Sequence, residues 1–248
     1  MKEQRFIGMI AIALAVLLST FTLARAWERV KTRDVRTIDV TGSAKRRITS
    51  DLIVWTAQLA TQAQDRQTAY RQLHEHAAKT LAYLKGEGLS DAELRASSVS
   101  VSEIVDTEYI GTGEQRIQRQ VSRGFAASQT ITATSKRVDL VERVSREVTS
   151  LIEGGVPVVS TAPQYFYTKL GELKIEMLAE ASKDARLRAE KMLGSLAGGG
   201  LGKLKTADMG VINVNPANST ASAWDGNNDT SSLEKDIMTI VHSSYELD

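Results

Sequence analysis

The side chains best suited to chemistry in this chain are three histidines, His74, His76 and His242, and a run of carboxylates at Glu172, Glu176, Glu180 and Asp184. Imidazoles serve as ligands or general bases when partners converge on one point. His74 and His76 stand two apart in a segment of helical period, so they project about 200° apart around the axis and cannot share an ion. Their spacing also misses the i, i+4 pair of a zincin helix. His242 alternates with Met238 and Ile240, which reads as a core or sheet-surface histidine. Serines are plentiful, but no Gly-x-Ser-x-Gly elbow presents one as a nucleophile. Gly198-Gly199-Gly200 follows a helical pattern instead of opening one, and Gly111-x-Gly113 lacks a strand-to-helix setting, so both read as chain turns and not phosphate cradles. The chain contains no cysteine, which removes thiol redox chemistry. No catalytic, cofactor-binding or metal-ligating residue is assigned, and a non-enzymatic protein is expected.

The carboxylates lie at four-residue intervals and form a ridge along one helix, ending at Arg188. Like charges at that spacing repel by a few tenths of a kcal/mol per pair, roughly. Either the ridge is a solvated face relieved by Lys183 and Arg188, or it meets basic residues of a neighbouring subunit. One helix cannot surround a divalent cation with six oxygens, which disfavours an ion site. Trp224 raises the same question. It stands alone in the polar stretch Asn215–Ser232 and either contacts a neighbouring subunit or covers its own domain.

These side chains must be carried by regular elements, and the chain starts with an apolar one. Phe6 to Ala24 is an uncharged, mostly apolar run flanked by Lys2, Arg5, Arg25, Arg29, Lys31 and Arg33. Nineteen residues of helix span about 28 Å, close to the ~30 Å of a bilayer's hydrocarbon. Phe6, Ile10, Leu14, Leu18 and Phe21 are read as the apolar face of a membrane anchor, with Phe21 and Trp27 near the outer interface. A signal peptide cleaved at Ala24-Arg25-Ala26 is the alternative. Basic residues are more frequent after the run than before it, which by the positive-inside rule favours a cytoplasmic domain. The lack of cysteine and the short N-terminal tail favour export. The expectation is an inner-membrane protein with one span and a periplasmic domain.

The remaining chain has nearly balanced charge, with a net of +1 overall, which argues against nucleic acid as a partner. Residues 1–26 read as anchor or signal peptide, 27–36 as linker and 37–248 as one domain. Strands are expected at 38–42 and 50–61, with Ile53, Trp55, Ala57 and Leu59 on one face, and Lys45-Arg46-Arg47 between them at a solvated strand edge or turn. A helix follows from Asp65 to Lys85, with Ala69, Leu73, Ala77, Leu81 and Leu84 as its stripe and Gly86 and Gly88 at its end. Strands 94–110 and 116–134 form a hairpin across Gly111-Thr112-Gly113. A second helix runs from Lys136 to Glu153, a strand over Val156–Tyr167, and a third helix over about 170–197 with Leu173, Met177, Ala181, Ala185, Ala189, Met192 and Leu196 inward. Strands near 203–214 and 234–247 close the domain.

Several stretches in this order resemble the SIMPL-domain family, a domain of unknown function common in bacterial envelopes. They are Ile38 to Ala44 (IDVTGSA), Asp51 to Trp55 (DLIVW), Tyr165 to Thr168 (YFYT), Ile175 to Met192 (IEMLAEASKDARLRAEKM) and Leu201 to Leu204 (LGKL). The resemblance covers about 37–248. It implies an α+β fold with antiparallel sheet and a long packed helix; with the elements read above, the expectation is antiparallel sheets packed with three helices, preceded by the N-terminal helix. It also implies an envelope location. Some members resemble large ring- or channel-like homo-oligomers, others are linked to oxidative stress, and no catalytic set comes with the family. The expected function is therefore a membrane-anchored envelope protein that assembles with itself. Its candidate contacts are sheet edges, Trp224 and the acidic face at Glu172, Glu176, Glu180 and Asp184. An envelope hydrolase or stress-response enzyme, or a cytoplasm-facing adaptor, is the alternative.

Overall fold

In the computed structural model the described residues are 14–27, 36–111, 116–195 and 200–247. Helix α1 covers 14–27. It is followed by β1 (Thr37–Thr49), β2 (Leu52–Ala63), α2 (Arg66–Gly86), β3 (Leu94–Ala96), β4 (Ser100–Ile110), β5 (Ile117–Ser135) and α3 (Val138–Glu147). A 3-10 turn (Val148–Ile152), β6 (Val158–Ser160), β7 (Gln164–Phe166), α4 (Leu170–Ser195), β8 (Leu201–Pro216), β9 (Asn227–Asn228) and β10 (Glu234–Leu247) complete the order. The fold is α+β. One sheet has six strands in the order β3-β5-β2-β6, with β4 added on β5 and β7 on β2; the other has four, β1-β10-β8-β9. All registered pairs of the first sheet are antiparallel, whereas the short β9 pairs in parallel with β8.

The described residues fall into two compact units. One draws on the stretches Met1–Ser43, Ala181–Met209 and Val241–Asp248, the other on Ala44–Glu180 and Gly210–Ile240. In the larger unit, alternation along β2 buries Ile53, Trp55, Ala57 and Leu59 completely or nearly so. Against them pack Ala127, Ile131 and Ala133 of β5, the α2 stripe Ala69, Leu73, Ala77 and Leu84, and Val141, Val144 and Val148. The indole N–H of Trp55 donates to Ser160 Oγ at 3.0 Å, so its one polar group is satisfied inside the core. Asp65 caps α2 by accepting from the Thr68 N–H at 2.8 Å, and Gly88, at φ +100°, turns the chain away after it. A separate cluster forms from Ile48, Leu173, Met177, Val214 and Ile237.

In the smaller unit, Val40, Ala185, Ala189 and Tyr245 make the core. A Cβ built on Gly42 would lie 2.1 Å from the Ala181 carbonyl oxygen and 2.7 Å from Ala185 Cβ. Strand β1 and helix α4 thus meet backbone to backbone, and the glycine with its facing alanines is what lets them.

Several expectations are corrected. The helix expected over Lys136–Glu153 is α3 followed by the 3-10 turn, so the domain has one more helical segment than the three expected. The tightening precedes Gly154 and Gly155, where a last turn commonly contracts. Lys45-Arg46-Arg47 lies inside β1, which continues to Thr49; Lys45 and Arg47 pair with Asp236 of β10, and Arg46 pairs with Glu176 of α4. The strand expected over Val156–Tyr167 is two short pieces that pair with β2 at different places. On α4, Leu193 is buried and Met192 is half exposed. Four-residue steps precess by about 40° each, so the stripe winds on to 193 and does not step back. Leu196 lies outside the described residues.

Candidate functional site

Strand β5 supports β2 only from Phe125 to Ser135, where Ala63 marks the end of β2. Its first part, Ile117 to Gly124, pairs among the described residues with β4 alone. β4 in turn has no strand on its other side among the described residues. The outcome is a two-stranded arm that runs beyond the sheet. Gly124 marks its root: it has φ +118°, and a Cβ there would lie 2.4 Å from the Ala63 carbonyl oxygen. The register shifts between Ile104 and Val105, a bulge that turns the ribbon where support ends.

Past that bulge the arm exposes Val105, Tyr109, Ile110 and Ile117, each about half or more accessible. An isolated two-stranded ribbon is marginal in water, and long open edges invite pairing with another chain. Charge is segregated along the arm. β4 carries Glu103, Asp106 and Glu108 and no basic residue, while residues 116–124 carry Arg116, Arg119 and Arg123 and no acidic one. Arg123 donates to Glu108 at 2.7 Å and approaches Asp106, and Arg116 lies over the Tyr109 ring at 4.1 Å. Glu103 and Arg119 are exposed and have no ion pair among the described residues.

The acidic ridge is tied down by its own chain. Arg46 of β1 donates to Glu176 at 2.8 Å and also binds Glu180. Asp184 accepts from the Ser43 N–H at 2.8 Å, and that bond, with help from Arg188, holds its carboxyl below the ordinary range. Glu172 is exposed at the first turn of α4. Trp224 is 90 % exposed. Its loop is nevertheless ordered: Asn213 and Ala223 exchange two hydrogen bonds, Asn215 donates to the Ala221 carbonyl, and Asn227 donates to Asn215. The ring is therefore held outward by a fixed base.

Two concave sites gather polar groups. Beside a cavity of about 60 Å³ lined by Tyr165, Tyr167, Leu170 and Asp229, Lys235 is 2 % exposed. Its ammonium donates to the carbonyls of Tyr165 (3.0 Å) and Asp229 and sits 3.5 Å from the Asp229 carboxylate. Burial pushes the lysine's pKa down. Burial would raise Asp229, but bonds from Ser231 and Ser232 and the nearby ammonium outweigh it and leave that carboxyl lowered. The group clamps the 215–232 loop to β7, where the Tyr165 N–H also donates to Thr230. The second site is a shallow polar hollow lined by Asp39, Thr41, Thr206, Asp208 and His242, with Thr41 Oγ1 and His242 Nδ1 3.0 Å apart. His74 stacks on Tyr70. Among the described residues no three His, Asp or Glu side chains are arranged to hold a metal ion.

Glu93 and Asp236 are the carboxyls most strongly displaced, both well below the ordinary range. Arg137, Ser135 and Ser90 hold Glu93, and Arg47, the Asn218 N–H and Lys45 hold Asp236. Each is a fixed pair within the fold.

In α1, Leu14, Leu18 and Phe21 are all more than half exposed, as are Leu17 and Leu23. Ser19, Thr20 and Thr22 return their hydroxyl protons to carbonyls three or four residues earlier. Phe6 and Ile10 lie outside the described residues. No helix among the described residues is long and apolar enough to cross a membrane.

An α+β fold with antiparallel sheet and a long packed helix is the class of domain that the sequence resemblance implies. The chain belongs to the SIMPL family, described as a protein of unknown function (DUF541), with residues 38–239 matched. No curated protein matches it.

The arm's charge segregation was legible in the sequence as an acidic stretch at 103–108 and a basic one at 116–123. Its meaning was not, since only the ending of β2 at Ala63 shows that these residues leave the sheet. Lys235 had a signal too, as a cation at an inward strand position in phase with Ile237 and Val241.

Proposed function

We propose that this protein is a non-enzymatic cell-envelope protein, anchored in the inner membrane by its N-terminal helix, whose SIMPL domain assembles with further copies in the periplasm. The observation that carries this reading is the β4–β5 arm, which leaves the sheet with both strand edges open and apolar side chains in water. A ribbon of that kind gains most of its stability from a partner. Trp224, held outward by its loop, is a second contact surface.

Membrane anchoring is supported by the apolar run of Phe6 to Ala24 and by the outward apolar side chains of its described part. Hydroxyls that bond their own helix carbonyls suit a low-dielectric setting. A non-enzymatic role is supported by the use of Glu93, Asp236 and the Lys235–Asp229 pair as ties within the fold. A role in envelope or oxidative stress follows from the family resemblance alone, and any such role here works without thiols.

The test is the mass of the full-length chain in mild detergent, by light scattering with the detergent subtracted. A discrete multiple of 27.1 kDa is expected. A single-chain mass at every micromolar concentration tried would defeat the assembly reading.

A further inference from the structure

Among the described residues the arm bears two open edges of opposite charge on one chain. The outer edge of β4 has a net −3 from Glu103, Asp106 and Glu108. The edge of β5 that β2 leaves uncovered, residues 117–124, has with Arg116 a net +3. We propose that copies of this chain join by strand pairing through this arm, the acidic β4 edge of one copy lying against the basic β5 edge of the next. The inference rests on the self-assembly reading above and names its surface and polarity.

Charge selects this pairing over its rivals. Two β4 edges would set three carboxylates against three, and two β5 edges three guanidinium groups against three; like charges across a strand pair are destabilising. Pairing β4 with β5 sets opposite charges together and leaves the first copy with a free basic edge and the second with a free acidic one. Such a head-to-tail contact repeats, and it closes into a ring when the rotation per copy permits. A second copy is the occupant because one arm carries both complementary edges. The intrachain contacts leave room for this. Arg123 is engaged by Asp106 and Glu108, but Glu103 and Arg119 have no ion pair among the described residues. The backbone supplies the rest of the affinity, since an open edge offers a row of unpaired N–H and C=O groups.

The test uses the full chain in detergent and two double variants. Glu103→Lys with Glu108→Lys turns the β4 edge from −3 to +1, two units for each reversal, and Arg116→Glu with Arg119→Glu turns the β5 edge from +3 to −1. Each variant alone is expected to fall to the single-chain mass; because Glu108→Lys also removes Arg123's partner within the arm, wild-type circular dichroism is the check that the chain is still folded. Mixed in equal amounts, they should regain the wild-type mass, because each reversed edge now meets its opposite. Variants that keep the wild-type mass alone, or that are folded and stay single after mixing, would overturn the proposal and leave self-assembly standing. A wild type that is itself single would remove the self-assembly reading first.

Should a reversed chain fail to fold, cysteine pairs decide instead, in a chain that has none of its own. Ser102→Cys with Gln120→Cys, treated with a bifunctional maleimide, should give a ladder of covalent multiples. Either cysteine alone should give none. A dimer from one cysteine alone, or no ladder from the pair, would overturn the head-to-tail arrangement.

Discussion

Lys235 shows how a single side chain can set the position of a loop. Its ammonium is buried, and its donors go to the Tyr165 and Asp229 carbonyls and toward the Asp229 carboxylate. Removing one partner of a buried pair leaves the other uncompensated, at a cost of about 3–5 kcal/mol. Lys235→Met is therefore expected to lower the urea midpoint by an amount corresponding to about 3 kcal/mol and to expose the 215–232 loop to proteolysis. A midpoint within error of the wild type would remove the clamp. Glu93 makes a prediction in pH. Its carboxyl is held below the ordinary value by Arg137, Ser135 and Ser90, so the unfolded chain binds its proton first as pH falls. The stability it contributes is fully present above about pH 5 and is lost progressively below the ordinary glutamate value of about 4.3. Glu93→Gln should thus be less stable than the wild type at neutral pH, and the gap should narrow as denaturation is repeated at lower pH. A gap that stays constant with pH would contradict this.

Among the elements, β1 and α4 depend on Gly42, and two glycine substitutions with opposite expected signs test it. A Cβ at Gly42 would collide with the backbone of Ala181 and Ala185, and neither is the yielding end of a side chain. Gly42→Val is expected to destabilise by about 3 kcal/mol, since overpacking forces backbone shifts. Gly86 is the control. It ends α2 and a Cβ there meets nothing within 4 Å, so Gly86→Ala should stabilise by about 0.5 kcal/mol through helix propensity. Equal effects at the two sites, measured by urea denaturation, would refute the close-approach account. Most of this level was legible in the sequence. The alternation of Ile53 to Leu59, the α2 stripe and the alanines of α4 each obey one local period, and local period survives folding. The splitting of the expected Val156–Tyr167 strand was not legible, because it is set by where β2 offers a place to pair.

For the whole molecule, orientation is the first question, since the basic residues after the apolar run and the absence of cysteine point opposite ways. A C-terminal alkaline phosphatase fusion is expected to be active, and a fluorescent-protein fusion that matures only in the cytoplasm is expected to be dark. The reverse pattern would place the domain in the cytoplasm and make the adaptor the better reading.

By itself the amino-acid sequence determined the α+β class, the family, the balanced charge and the faces that β2, α2 and α4 turn inward. These are properties of short windows in which hydrophobic period and turn residues repeat. Tertiary structure alone decided that Arg46 neutralises Glu176 and Glu180 from 130 and 134 residues away, and that Lys235 meets Asp229 and Tyr165. It also decided that β4 and the start of β5 leave the sheet as an arm. The physical reason is common to all three. Ion pairs and strand edges depend on which segments meet in space, and no local pattern of charge or hydropathy encodes that meeting.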